Sequence, residues 1–396
     1  MDKKPQIKQA VILAGGKGLR LRPLTKDRPK VMVLVNKYPF VKYLIDLLKE
    51  NGIQEIVFLV GYKYKKIEEY LGDGSRFGLC IKYSRGNVSD ETGTRIRNAH
   101  ALLEGEFLLL YSDNYWSLNL RKLYKFHQRH KKLVTLTVYS NKANITKNNV
   151  YTSYKGAIEK YDRKRETSGL NGVEIGFYII NKKILRHVPK SNFSFEEKML
   201  PLLISKGQLA GYVTRHKYYS IGDPRRLKIA GKFLRGKKVI LLDRDGVINQ
   251  KPAKEDYVKS WKEFRFIDGV IESLALLAKN NFDIYIISNQ AGIDRGLMTE
   301  RDLTKIHFNL QTVLAKHGVK IKGIYYCPHH WDKNCECRKP KPGLFFKAAD
   351  ENYFDLTKAI FIGDDTKDLK AGIAAGCKTF LLAKNDSLFE LIKSVI

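Results

Sequence analysis

The stretch Val239–Asn249, VILLDRDGVIN, limits what this chain can fold into more than any other. Its apolar run ends in Asp243 and Asp245, spaced i, i+2, and then Gly246. An unbroken Val/Ile/Leu run suits a strand covered on both faces, as in a parallel sheet flanked by helices. Ligands of open α/β sheets bind beyond the carboxyl ends of the strands. Two carboxylates at such an end, followed by a chain reversal at Gly246, suit a divalent cation and a phosphoryl group.

Three later segments supply matching parts. Phe282–Gln290 reads as a second buried strand ending in Ser288 and Asn289, neutral groups that can hydrogen-bond phosphate oxygens. Arg338-Lys339-Pro340 opens a basic turn that can neutralise phosphate charge. Ala359–Asp365 is a third strand pattern ending in Asp364 and Asp365, able to complete a Mg²⁺ shell. Between them lies Cys327-Pro-His329-His330, then Cys335-Glu-Cys337. Three of the five cysteines fall within this loop, a clustering that reads as metal rather than disulfide. Cys327, His329, Cys335 and Cys337 make four soft ligands for a structural Zn²⁺ with no open position, leaving His330 outside the set.

In this order the segments resemble the haloacid dehalogenase phosphatase superfamily from about residue 237 to 396. The resemblance implies that Asp243 is a nucleophile and Asp245 a general acid and base. It also implies that Ser288, Asn289 and Lys339 bind phosphate. Mg²⁺ would be held by Asp243, Asp364 and the backbone carbonyl of Asp245. CPHH with CECRKPKPG is similar, more narrowly, to the D-glycero-D-manno-heptose 1,7-bisphosphate 7-phosphatases, with histidinol-phosphate phosphatases as relatives. There Arg338 is implied to bind substrate, and no large cap domain is expected.

The front half opens on another strand pattern, Gln9–Ala14, followed by Gly15, Gly16, Lys17, Gly18 and Arg20, with Lys30 further on. Glycines let backbone N–H groups approach phosphates, and cations neutralise them. The loop lacks the Walker pattern. Over about residues 7–232 it resembles the sugar-1-phosphate nucleotidyltransferases. Arg20 and Lys30 would then bind nucleotide phosphates, with Asp113 on the metal and Gly93, Glu174 and Lys164 on the sugar side. Leu19 replaces the family's usual threonine. Ser220 stands where an acid is expected in Ser220-Ile-Gly222-Asp223-Pro224. Asp223 substitutes for it, or Asp113 with the nucleotide phosphates suffices, or activity is lost.

Alternating strand and helix patterns predict an α/β protein with two Rossmann-like domains. A mixed sheet of the GT-A type is expected over 1–235, and a haloacid-dehalogenase-like parallel sheet with a small zinc loop over 236–396. Helices are expected at Phe40–Asn51, Leu120–His130 and Glu300–His317. Residues 236–396 carry 26 Lys+Arg against 21 Asp+Glu, so nearly all of the +31 formal charge lies in the front half. Such a field attracts anionic nucleotides and sugar phosphates, and calls for no specific nucleic-acid partner. There is no signal-peptide pattern or long apolar run, so a cytoplasmic protein without a membrane partner is expected, and a homo-oligomer is compatible with it.

Together the resemblances imply consecutive steps. A phosphatase would convert heptose 1,7-bisphosphate to heptose 1-phosphate, and a nucleotidyltransferase would join that product to an NTP, with GTP favoured. Mg²⁺ is expected in both halves and Zn²⁺ in the second. The alternatives are a hexose nucleotidyltransferase fused to a histidinol-phosphate or other sugar-phosphate phosphatase, a nucleic-acid end-processing phosphatase, and a sugar-nucleotide-binding regulator.

Overall fold

A computed structural model describes residues 7–253 and 256–396, so the first six residues of the expected front domain lie outside it. The chain forms two compact units, 1–234 and 235–396. Among the described residues, no helix is long and apolar enough to cross a membrane.

The first unit is built on a seven-stranded sheet. Its order is Leu209–Thr214, Val134–Tyr139, Val173–Asn181, Glu106–Tyr111, Gln9–Ala14, Glu55–Val60 and Cys80–Arg85. Val173–Asn181 runs antiparallel to both neighbours, and the remaining pairs are parallel. Gln9–Ala14 is an interior strand buried at every position, which explains the apolar run from Ala10 to Ala14. It therefore delivers the glycine loop to the middle of the sheet's carboxyl edge. The strand Glu106–Tyr111 beside it delivers Asp113 to the same edge.

The second unit is built, among the described residues, on a five-stranded sheet, all parallel, ordered Ile321–Cys327, Phe282–Asn289, Lys238–Leu242, Ile360–Gly363 and Lys378–Leu381. Side chains alternate across the central strand. Ile240 and Leu242 join one apolar cluster, while Val239 and Leu241 join the other. Both faces are thus core, as the apolar run requires. The chain order crosses over at Lys238–Leu242, whose neighbours lie on opposite sides, and such a switch point opens a crevice at the strand ends. Asp243, Ser288 and Asp364 all follow or end these neighbouring strands.

The expected helices form at Phe40–Glu50, Leu120–His130 and Glu300–Lys316. A reciprocal capping box of Thr299 and Asp302 starts the last of them, satisfying backbone donors that the first turn leaves free.

Candidate active sites

In the second unit the strand ends gather a charged cluster with little access to water. Lys339 is fully buried, and its Nζ lies 2.9 Å from Asp243 Oδ1 and 2.7 Å from Asp368 Oδ1. It also donates to the Ile287 carbonyl at 2.9 Å. Asn289 clasps the same residue's backbone, accepting from Lys339 N at 3.0 Å and donating to its carbonyl at 3.1 Å. A buried cation needs such partners, because isolated it would lose several kcal/mol of hydration. Burial pushes the Asp243 carboxyl up to about 7, against the pull of Lys339.

Asp245 has a different environment. Its carboxylate accepts from Arg244 Nη2 at 2.9 and 3.0 Å, Asn249 Nδ2 at 2.9 Å and Gln290 Nε2 at 2.6 Å. Burial opposes ionisation, yet Arg244 and these donors outweigh it and hold the carboxyl below its usual range. Arg244 is itself fully buried, with Nη1 3.4 Å from His307 Nε2. Ser288, also buried, accepts from Gln290 at 2.8 Å.

Asp243, Asp364 and Asp368 each place a carboxylate oxygen within 4.8 Å of the others. Hard oxygen donors of this number suit Mg²⁺. The third carboxylate of the group is Asp368, which the motif reading passed over. The side chain of Asp245, expected near the metal, is not in this group and is engaged by Arg244, Asn249 and Gln290 instead. Gly246 makes the cluster possible: at φ 93°, a Cβ there would stand 2.2 Å from Asp364 Oδ2. Lys251 Nζ lies 2.6 Å from the same oxygen. The cleft over the cluster has a volume of about 510 Å³ and is also lined by Arg338, Lys367, Tyr257 and Trp331.

Cys327, His329, Cys335 and Cys337 converge in the loop after Ile321–Cys327. Their sulfurs lie 3.3–3.5 Å apart, and His329 Nδ1 is 3.2 Å from Cys337 Sγ and 3.6 Å from Cys327 Sγ. Three thiols and one imidazole, mutually in contact, match a closed tetrahedral Zn²⁺ site. His330 turns away, with Nδ1 2.7 Å from Asp332.

The cleft of the first unit is larger, about 800 Å³, and lined by cations on exposed loops. Gly15, Gly16, Lys17, Gly18, Arg20 and Lys30 all border it, as does Asp113. Lys30 Nζ lies 2.5 Å from Asp113 Oδ2. Arg95, which no motif drew attention to, is buried beneath the glycine loop. It donates to the carbonyls of Asp90 at 3.0 Å, Val60 at 2.9 Å and Asn87 at 2.5 Å. A Cβ on Gly15 would stand 2.2 Å from its guanidinium, so the loop can close over Arg95 only with glycine there. The signal was faint: one arginine in a short helix that is otherwise a sugar-side motif.

None of the three expected sugar-side residues, Gly93, Glu174 and Lys164, lines this cleft. Lys164 is exposed and does not line it; its neighbour Arg163 does, paired with Glu197. The turn at Asp162, which caps the amides of Lys164, Glu166 and Thr167, sends Lys164 outward. Gly93 is buried against the Phe193 ring, with its amide donating to the Phe193 carbonyl at 3.0 Å. Glu174 lies behind the cleft wall, where burial pushes its carboxyl up to about 7. Glu196 reaches the wall instead, accepting from Thr92 and Ser194 at 2.7 Å each and from Tyr111.

Ser220 is nearly buried, and its Oγ accepts from Gly222 N at 3.1 Å. Strand pairing sets it opposite Asn114, next to Asp113. Asp223 is committed to the helix Pro224–Phe233 as its N-cap, accepting from Arg226 N at 2.9 Å. Asp113 belongs to no group of three ligating side chains among the described residues.

Two sites with this equipment, each at the carboxyl edge of an α/β sheet, define an enzyme of phosphoryl and nucleotidyl chemistry. The nucleotidyl transferase family model matches residues 9–236, and that of the polynucleotide kinase 3 phosphatase matches 238–380. The D-glycero-beta-D-manno-heptose-1,7-bisphosphate 7-phosphatase of Haemophilus influenzae is 40% identical over 153 residues, 37% of this chain and 82% of that protein. The D-glycero-alpha-D-manno-heptose-1,7-bisphosphate 7-phosphatase of Campylobacter jejuni is 40% identical over 149 residues, 38% of this chain and 84% of that protein. Among solved structures, HddC from Yersinia pseudotuberculosis is similar with 25% identity and a TM-score of 0.50, over 57% of this chain and 99% of that one. The chain belongs to the nucleotidyl transferase family through residues 9–236 and, over 153 residues, to the heptose-1,7-bisphosphate 7-phosphatase family. It is an enzyme with a phosphatase part and a nucleotidyltransferase part.

Proposed function

We propose that the chain carries out two consecutive steps in making a nucleotide-activated heptose. The second unit removes the 7-phosphate of D-glycero-D-manno-heptose 1,7-bisphosphate. The first joins the resulting heptose 1-phosphate to a nucleotide, GTP by preference, releasing pyrophosphate. The observation that carries the reading is the Asp243–Lys339–Asp368 cluster with Asp364 beside it, in a region as similar to the 7-phosphatases as 40% identity.

Asp243 Oδ attacks the phosphorus, and the bond to the sugar's C7 oxygen breaks. Asp245 hands that oxygen its proton. It then takes a proton from the water that attacks the aspartyl-phosphate, so phosphate leaves and Asp243 is restored. A phosphate dianion arriving beside Asp245 favours its protonated form, against the hold of Arg244, Asn249 and Gln290. Ser288 meets the phosphate oxygens, Lys339 holds Asp243 and places its positive charge beneath them, and Arg338 meets the rest of the sugar phosphate. Asp243, Asp364, Asp368 and the Asp245 carbonyl would hold Mg²⁺, which supplies charge stabilisation. Cys327, His329, Cys335 and Cys337 would hold a structural Zn²⁺.

In the first unit the glycine loop, Arg20 and Lys30 orient the triphosphate. A phosphate oxygen of the sugar 1-phosphate attacks the α-phosphorus, and the bond to the β-phosphate oxygen breaks. Asp113 would hold Mg²⁺ there, and Glu196 and Arg163 supply polar groups at the cleft wall. Joining the steps in one chain raises the local concentration of the shared intermediate.

The test is incubation with each anomer of the bisphosphate and each of the four NTPs, followed by mass analysis. Phosphate release followed by an NDP-heptose supports the reading. Phosphate release without any nucleotide sugar overturns its second half. A second reading, an end-processing phosphatase, rests on the match to the polynucleotide kinase 3 phosphatase model over 238–380. Release of phosphate from a 3′-phosphorylated oligonucleotide, faster than from the sugar bisphosphate, would favour it.

A further inference from the structure

The phosphatase cleft has two walls that belong to separate loops. One is the zinc loop, which presents Trp331 and Arg338. The other is the segment after the central strand, which presents Lys251 and Tyr257. Each wall is tied to the strand ends at its base, Lys339 by Asn289 and Lys251 by Asp364, which leaves the outer parts of the walls to other contacts. Arg295 lies between them. Its guanidinium carbon is 5.5 Å from the Trp331 ring centroid and 5.9 Å from that of Tyr257, within cation–π range of both.

Each end of this bridge is anchored. On the zinc-loop side, His330 packs on Trp331 with centroids 3.8 Å apart, and Asp294 accepts from His330 N at 2.8 Å and Lys333 Nζ at 2.7 Å. On the other side, the Tyr257 ring covers Gly292, where a Cβ would stand 2.9 Å from the ring. The turn 290–296 therefore holds both walls, and Arg295 is its charged reach between them. Trp331 is 52% exposed, so it is not held by burial in the core.

Resting on the phosphatase reading above, we propose that Arg295 is a positioning residue for substrate selection. It spaces the two walls so that the cleft grips an extended, doubly phosphorylated sugar. The acid–lysine cluster at the cleft floor does not depend on it. A small phosphate monoester touches only that floor and is indifferent to the wall spacing, whereas a sugar bisphosphate must touch both.

The full chain and its Arg295→Ala, Arg295→Lys, Trp331→Ala and doubly substituted (Arg295→Ala with Trp331→Ala) variants would be assayed with heptose 1,7-bisphosphate and with p-nitrophenyl phosphate. Arg295→Ala should raise KM for the bisphosphate about tenfold, as lost orientation does, while kcat stays within about threefold. Its kcat/KM for p-nitrophenyl phosphate should stay within about threefold. Arg295→Lys should recover part of the KM, because a lysine cation still attracts aromatic faces. The double variant should be no worse than the poorer single variant, since both remove one bridge. An unchanged KM, equal losses on both substrates, or additive effects of Arg295→Ala and Trp331→Ala would each overturn the proposal while leaving the phosphatase reading intact. A wild-type chain that shows no preference for the bisphosphate overturns both. Thermal melting and zinc content of each variant identify a loss that is merely structural, which would appear on both substrates.

Discussion

The two clefts handle phosphate in opposite ways. In the second unit the charges are buried and cross-linked before any ligand arrives: Lys339 and Asp368 are fully covered, and Asp243 is nearly so. In the first unit Lys17 and Arg20 stand exposed on a loop, and the cleft is about 800 Å³ against about 510 Å³. A hydrolase that moves one phosphoryl group onto its own carboxylate gains from a fixed site, because preorganised charges need no rearrangement during reaction. A transferase must admit a triphosphate and a sugar phosphate together, and much of its neutralising charge can wait in solvent until they come. The consequence is that substitutions should be costly and specific in the second cleft, and graded in the first.

The sharpest way to break this contrast is Asp243→Asn. It keeps the shape but removes the nucleophile, so phosphate release should fall by at least about 10³-fold. Pyrophosphate release by the same protein should be unchanged. A variant that keeps near-normal phosphate release removes the aspartyl-phosphate route. The mirror substitution, Asp113→Ala, should lower pyrophosphate release by about 10²-fold or more and spare phosphate release. Loss of both activities in a folded protein would mean that the clefts are not independent.

Next in size is the zinc loop. Cys335→Ser leaves three ligands, and melting of the second unit should drop by several degrees, roughly what 1–2 kcal/mol produces in a domain of this size. Elemental analysis beside calorimetry checks it; purified protein without zinc, or zinc loss without a change in melting, rules out a structural role.

Smaller effects are expected around Ser220. Asp223 caps the helix Pro224–Phe233, so Asp223→Ala should cost about 1 kcal/mol of stability and leave the Mg²⁺ requirement of pyrophosphate release unchanged. Ser220→Asp should change that requirement only modestly if Asp113 with the nucleotide phosphates suffices. A Mg²⁺ titration of both variants against wild type decides it. A steeply raised requirement in Asp223→Ala would make Asp223 a ligand despite its capping role.

A further effect concerns acid. Burial, helped by the neighbouring Arg244 charge, lowers His307 to about 3. The unfolded chain binds a proton on this residue below its ordinary value of about 6.5, and the folded chain does not. Stability of the second unit should therefore fall as pH drops from about 6.5 towards 3, by at most ~1.4 kcal/mol per pH unit from this group. His307→Gln should flatten that part of the urea-midpoint profile between pH 7 and 5. An unaltered slope would show that His307 is not buried neutral.

What could be read along the chain was whatever the backbone alone decides. Apolar runs fixed which segments become buried strands, and the residue after each run is then carried to the sheet's carboxyl edge. That is why Asp243, Ser288, Asp364 and Asp113 were legible. The four zinc-loop side chains lie within eleven residues and need no long-range geometry to meet. Other features depend on packing between distant segments, and no local pattern encodes them. Asp368 sits one helical turn inside Thr366–Ala375, where it also completes a capping box, and only the strand beneath shows that it reaches Lys339. Arg95 and Arg244 look like surface cations in sequence, yet each is buried because carbonyls or polar side chains from other loops surround it. Lys164 lies outside the cleft for the converse reason: the Asp162 turn sets which side chain faces it, and a shift of one residue exchanges Lys164 for Arg163. Charged side chains are placed by the partners that solvate them, and those partners are chosen only when the chain has folded.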